Sequence, residues 1–92
     1  MTKPFGETIR EARKQAKISL RKFAVMIEVT PTYVSKIERT EAPPPAEAVI
    51  ARMAIVLNYD FDELMALTGK IPSDILKLLE GNIELWAALR GE

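Results

Sequence analysis

The chain has 92 residues, enough for one domain with a modest core and not for two. It contains no Cys and no His, which removes a disulfide framework, a thiolate metal site, the usual zinc ligands and the commonest general base. Formal net charge is zero, yet residues 1–40 carry nine Lys or Arg against four Asp or Glu (+5), while residues 41–92 carry four against nine (−5), a split that suggests one half facing a polyanion and the other facing protein or solvent.

Helical spacing first appears over Phe5 to Lys17, with Phe5, Ile9, Ala12 and Ala16 inward and Arg10, Arg13, Lys14 and Lys17 along the flanks. Ser19 is suited to cap a second short helix that buries Phe23, Ala24 and Ile27. Only Glu28 and Val29 separate it from a third helix, which opens with Thr30 as cap and Pro31 at the first helical position, where a missing amide costs nothing. Such a connection is a turn between crossed helices. At about 100° per residue, Val34 and Ile37 of the third helix share the inner side. Thr32, Ser35, Lys36 and Arg39 fall on the outer side, where each can donate hydrogen bonds, and Tyr33 lies at the border. A solvated polar face on an ordinary amphipathic helix has the same appearance.

Beyond it, Thr40 to Pro45 blocks helix and marks a bend. Helical spacing resumes from Ala46 to Leu57 through Val49, Ile50, Met53 and Ala54. Asp60 then caps a helix through Phe61, Leu64, Met65 and Leu67 that Gly69 ends. Pro72 or Ser73 opens a further helix with Ile75, Leu76, Leu78 and Leu79, and after Gly81-Asn82 comes another with Ile83, Leu85, Trp86 and Leu89. These last segments are apolar on more than one face and need cover, either from the rest of the chain or from a second copy.

The residues Ser19, Phe23-Ala24 and the run Val29 to Arg39, followed by Pro44 or Pro45 and by Leu57 to Asp60, resemble the lambda-repressor-like helix-turn-helix domains of the XRE and Cro family. The likeness covers residues 5 to 69. It implies an all-α fold of five helices, here with one or two added at the C-terminus. The domain reading is therefore a DNA-binding unit over 1–69 and a helical extension over 70–92 that serves dimerisation. It also implies a structural ion pair between Arg13 and Glu38, which would fix the helix angle.

Three positions depart from the family pattern. Leu20 stands where many members have a Gln that bonds the DNA backbone, Glu28 replaces a common turn Gly, and Pro31 replaces an amide side chain. Base reading is therefore expected from Thr32 and Lys36, with Thr30, Ser35 and the Pro31 ring, the last restricted to apolar contact such as a thymine methyl. Arg21, Lys22, Tyr33 and Arg39 are expected on phosphates.

The expected function is a sequence-specific regulator of double-stranded DNA, a repressor binding a palindromic operator as a homodimer through Ile75, Leu79, Ile83, Trp86 and Leu89. The alternative is an antitoxin or adaptor whose apolar tail holds a toxin or metallopeptidase. No enzyme, cofactor or metal is expected: Asp60, Asp62 and Glu63 sit where first-turn acids belong, and the four glycines form no phosphate loop. The N-terminus lacks an apolar signal core, no run approaches ~18 apolar residues, and a cytoplasmic location is expected.

Overall fold

Side-chain caps start three of the helices. In the computed structural model, which describes residues 3–70 and 73–80, the Ser19 hydroxyl accepts from the Lys22 amide, Thr30 from Tyr33, and the Asp60 carboxylate from Glu63, at 3.1, 3.1 and 2.9 Å. The described residues form six helices and no strand: α1 (Phe5–Gln15), α2 (Leu20–Met26), α3 (Pro31–Glu38), α4 (Glu47–Leu57), α5 (Phe61–Thr68) and α6 (Ser73–Glu80). Pro31 holds the first position of α3.

Helix endings follow one pattern with an unusual choice of residues. After α1, α2, α3 and α4 the chain turns left-handed at Lys17, Glu28, Thr40 and Asn58, with φ of 58°, 62°, 60° and 52°. At each, two amides fold back on the last turn, as where Thr40 donates to the Ile37 carbonyl and Glu41 to that of Lys36. Glycine would take this conformation freely, but among the described residues only Gly69 after α5 does so. The first helix therefore stops at Gln15, short of the expected Lys17. Ala16, expected inward, is its exposed cap residue.

The core consists of Phe5, Ile9, Phe23, Ala24, Ile27, Val34, Ile37, Ile50, Met53, Ala54, Leu64 and Met65. It joins α3 to both α1 and α2, and α5 to α4. Ala12 is only half-buried. Gly6 lies buried in the first turn of α1, and any β-carbon there would be driven into the Ile37 carbonyl oxygen. Helix α1 thus approaches the end of α3 with backbone against backbone.

Two turns further along α1, Arg13 meets Glu38. Its Nε donates to Glu38 Oε2 at 2.7 Å and its NH2 to Oε1 at 3.0 Å, while NH1 donates to the Ile18 carbonyl at 2.9 Å. Both side chains are nearly out of solvent, at 10% and 3% exposed. The hydrogen bond to Glu38 raises the Arg13 pKa above its ordinary value, so this guanidinium stays charged at any pH at which the protein is handled.

Beyond α5, Lys70 Nζ donates to the Pro45 carbonyl at 2.9 Å and to that of Pro44 at 3.3 Å. The Ser73 amide and hydroxyl donate to Glu47 Oε1 at 3.1 and 3.2 Å. The start of the extension is tied in this way to the proline bend and to the first turn of α4.

Two stability outcomes follow. Replacing Thr40, a β-branched residue held at positive φ, by Gly should stabilise the fold by about 1 kcal/mol and raise Tm by about 4–8 °C in a thermal melt. A Tm unchanged or lower would mean that Thr40 carries no strain. Glu38→Ala leaves a buried guanidinium unpaired and should cost about 3–5 kcal/mol, dropping Tm by more than about 10 °C. Melting at the parental temperature would show the pair to be a surface contact in solution.

Candidate nucleic-acid interface

Helix α3 divides its residues sharply by exposure. Val34, Ile37 and Glu38 are buried. Pro31, Thr32 and Lys36 are exposed, with Thr30 just before the helix and Arg39 just after it. Tyr33 and Ser35 are half-buried, and Tyr33 packs against the core with part of its ring. Because the Thr30 oxygen already accepts the Tyr33 amide, what this hydroxyl retains for an outside partner is chiefly its hydrogen. Thr32 and Lys36, one turn apart, share the exposed side, where their groups can meet an incoming surface.

Arg39 is less free than its place on the outer side suggests. Its Nε points back to the Ser35 carbonyl at 3.4 Å, and NH2 lies 3.1 Å from Glu41. Spacing alone did not expose this pairing, because Glu41 lies beyond the helix in the left-handed turn. Arg21 and Lys22 are exposed in the first turn of α2. Leu20, at the start of that helix, shares a cleft with Ser35 and Arg39, which brings the beginning of α2 beside the outer side of α3.

That cleft, of about 350 Å³, is completed by Arg10, Arg13 and Lys14 of α1 and by Glu38. Sequence reasoning placed Arg10 and Lys14 on the flanks of α1 and gave them no part in the site. Their only sequence signal is the four-residue spacing that puts two cations on one side of a helix. Ile75 and Leu78 of α6 are 44% and 62% exposed, so neither completes the core of the described residues. Ile83, Trp86, Leu89 and the side chain of Leu79 lie outside the described residues.

Among the described residues no helix is long and apolar enough to cross a membrane, and no cluster of acidic side chains could hold a metal ion. The chain and the arrangement of its helices are similar to those of known proteins. A family model described as helix-turn-helix matches residues 9–64. The HTH-type transcriptional regulator RghRB of Bacillus subtilis (strain 168) is 35% identical over 81 residues, which span 85% of this chain and 58% of that protein's length. Among solved structures, SinR, a master regulator for biofilm formation, in complex with DNA matches with TM-score 0.62 and 28% identity, over 66% of this chain and 97% of that one. The P22 c2 repressor in complex with a synthetic operator matches with TM-score 0.62 and 30% identity, over 68% of this chain and 94% of that one. The chain therefore belongs to the lambda-repressor-like helix-turn-helix family, and not to a family of enzymes.

Proposed function

We propose that the protein is a sequence-specific regulator of double-stranded DNA, a repressor that binds a palindromic operator as a homodimer and occludes a promoter. The observation that carries this reading is the division of α3, whose apolar residues and Glu38 are buried while Thr32 and Lys36 are exposed together. A helix held by one side and polar on the other is what entry into a major groove requires. The two solved relatives, each described in complex with DNA or an operator, support the same reading.

In this account Thr32 and Lys36 read base edges, Lys36 most naturally guanine O6 and N7, with Thr30, Ser35 and the Pro31 ring lining the same groove. Arg21, Lys22, Tyr33 and Arg39 bond phosphates and set the register. Residues 1–69 act as the reading unit and 70–92 as the pairing segment. The exposed Ile75 and Leu78 support that division, since a surface of this kind favours a second copy. Pairing multiplies the modest discrimination of one short helix by placing two of them about one helical turn apart on inverted half-sites.

Selection of bound duplexes from a randomised pool at near-physiological salt tests the proposal, with Thr32→Ala/Lys36→Ala run alongside. The parent should enrich a palindrome, and the variant should lose about tenfold or more in preference at the base pairs these side chains read. Enrichment of an unpaired half-site would reject the dimer. No enrichment, with weak binding that the variant shares, would reject sequence-specific recognition and turn attention to a protein partner for the extension.

A further inference from the structure

The cleft between α1 and the outer side of α3 is lined by four cations, Arg10, Arg13, Lys14 and Arg39, and by one carboxylate, Glu38. That carboxylate is already bonded through both oxygens to Arg13, and the third Arg13 nitrogen is taken by the Ile18 carbonyl. The cleft floor is therefore neutral and its hydrogen bonds are largely spent. Around it stand Arg10 and Lys14, which have no ion-pair partner among the described residues, and Arg39, whose partner Glu41 is itself 53% exposed. An ion pair so open to water is weak and exchanges readily.

Like charges gathered in a concavity repel one another, and the apolar wall that Leu20 and the arginine stems supply focuses their field. An anion seated among them removes the repulsion. The lining groups not spent in the Arg13–Glu38 pair offer mainly donors: two guanidinium forks and an ammonium, beside the Ser35 hydroxyl, which donates as well as accepts. The matching ligand is one with acceptor oxygens only and a full negative charge, which describes a phosphodiester.

Resting on the DNA-binding reading, we infer that this cleft seats one backbone phosphate of the strand bordering the groove that α3 enters, held by Arg10 and Lys14 together with Arg39. Arg39 exchanges Glu41 for the phosphate. Arg10 and Lys14 become positioning residues of the interface: they carry no sequence information, but they fix how far α3 advances and at what register. The contact comes from the same helix that Arg13 locks to α3, so clamping α1 to the backbone also sets the recognition helix.

The test uses the full chain and the duplex that the parent selects. Arg10 and Lys14 are exposed, so Arg10→Gln/Lys14→Gln should melt with the parent. Its logarithmic plot of affinity against salt should be less steep by about one to two units, with base preference unchanged. Single phosphates on the flank are then replaced by neutral methylphosphonates, one at a time. One replacement should weaken the parent severalfold and leave the variant unaffected, because the partner charges are already gone. An unaltered slope, with methylphosphonate effects that add in the variant at every position, would overturn the seat while leaving DNA binding intact. A parent that binds no duplex, yet shows side-chain NMR shifts at Arg10 and Lys14 with inorganic phosphate at matched ionic strength, would reject the DNA backbone as occupant in favour of a free phosphate.

Discussion

The placement of α3 depends on a pair of opposite charges buried where α1 crosses it. Removing a guanidinium and a carboxylate from water is costly, and the cost is offset only when geometry is good and every remaining donor and acceptor is satisfied. Here all three Arg13 nitrogens and both Glu38 oxygens are used, in a planar fork that tolerates little rotation. Two turns away along α1, Gly6 presses its backbone against the Ile37 carbonyl. Two contacts on neighbouring residues of α3, one polar and one steric, prevent the helix from pivoting on α1. A recognition helix must be held in this manner if a few side chains are to meet base edges reproducibly.

The turn before α3 is held from another direction. Arg52 of α4 donates from Nε to the Ile27 carbonyl at 2.9 Å, at the end of α2, and lies 3.5 Å from the Glu28 carboxylate. Glu28 occupies the left-handed position that a glycine would take without strain. Its side chain supplies a partner for Arg52 that glycine could not. The short connection is therefore braced by α4 as well as by its caps, and the four buried residues Phe23, Ile27, Val34 and Ile37 tie both helices to one core.

Much of this was legible in the chain. Apolar spacing located the buried residues of α2 and α3, because each period-matched position lies over the core, and the caps at Ser19, Thr30 and Asp60 marked where helices begin. Helix ends were harder to read. Lys17, Glu28, Thr40 and Asn58 adopt a conformation ordinarily left to glycine, so helical spacing carries α1 two residues too far and places Ala16 in the core. Gly6 was hidden for the converse reason: its role is a close approach between helices distant in sequence. The cleft cations were missed because a charge on a helix flank reveals nothing about what faces it, and Arg10 and Lys14 acquire a role only when Ser35 and Arg39 are brought opposite. The partnership of Arg13 with Glu38 came from resemblance to a family, since 25 residues of separation carry no periodic signal.

The buried pair orients α3 more than it stabilises the fold. The most direct measurement is of residual dipolar couplings for the α3 amides relative to those of α1, in the parent and in Arg13→Met/Glu38→Leu, which replaces both charges by apolar groups of similar size. The variant should still fold cooperatively, since buried pairs are often replaceable in this way, with α3 couplings that no longer fit the parental orientation. Couplings that fit one and the same orientation in both proteins would contradict it and leave Gly6 and the apolar core as sufficient to place the helix.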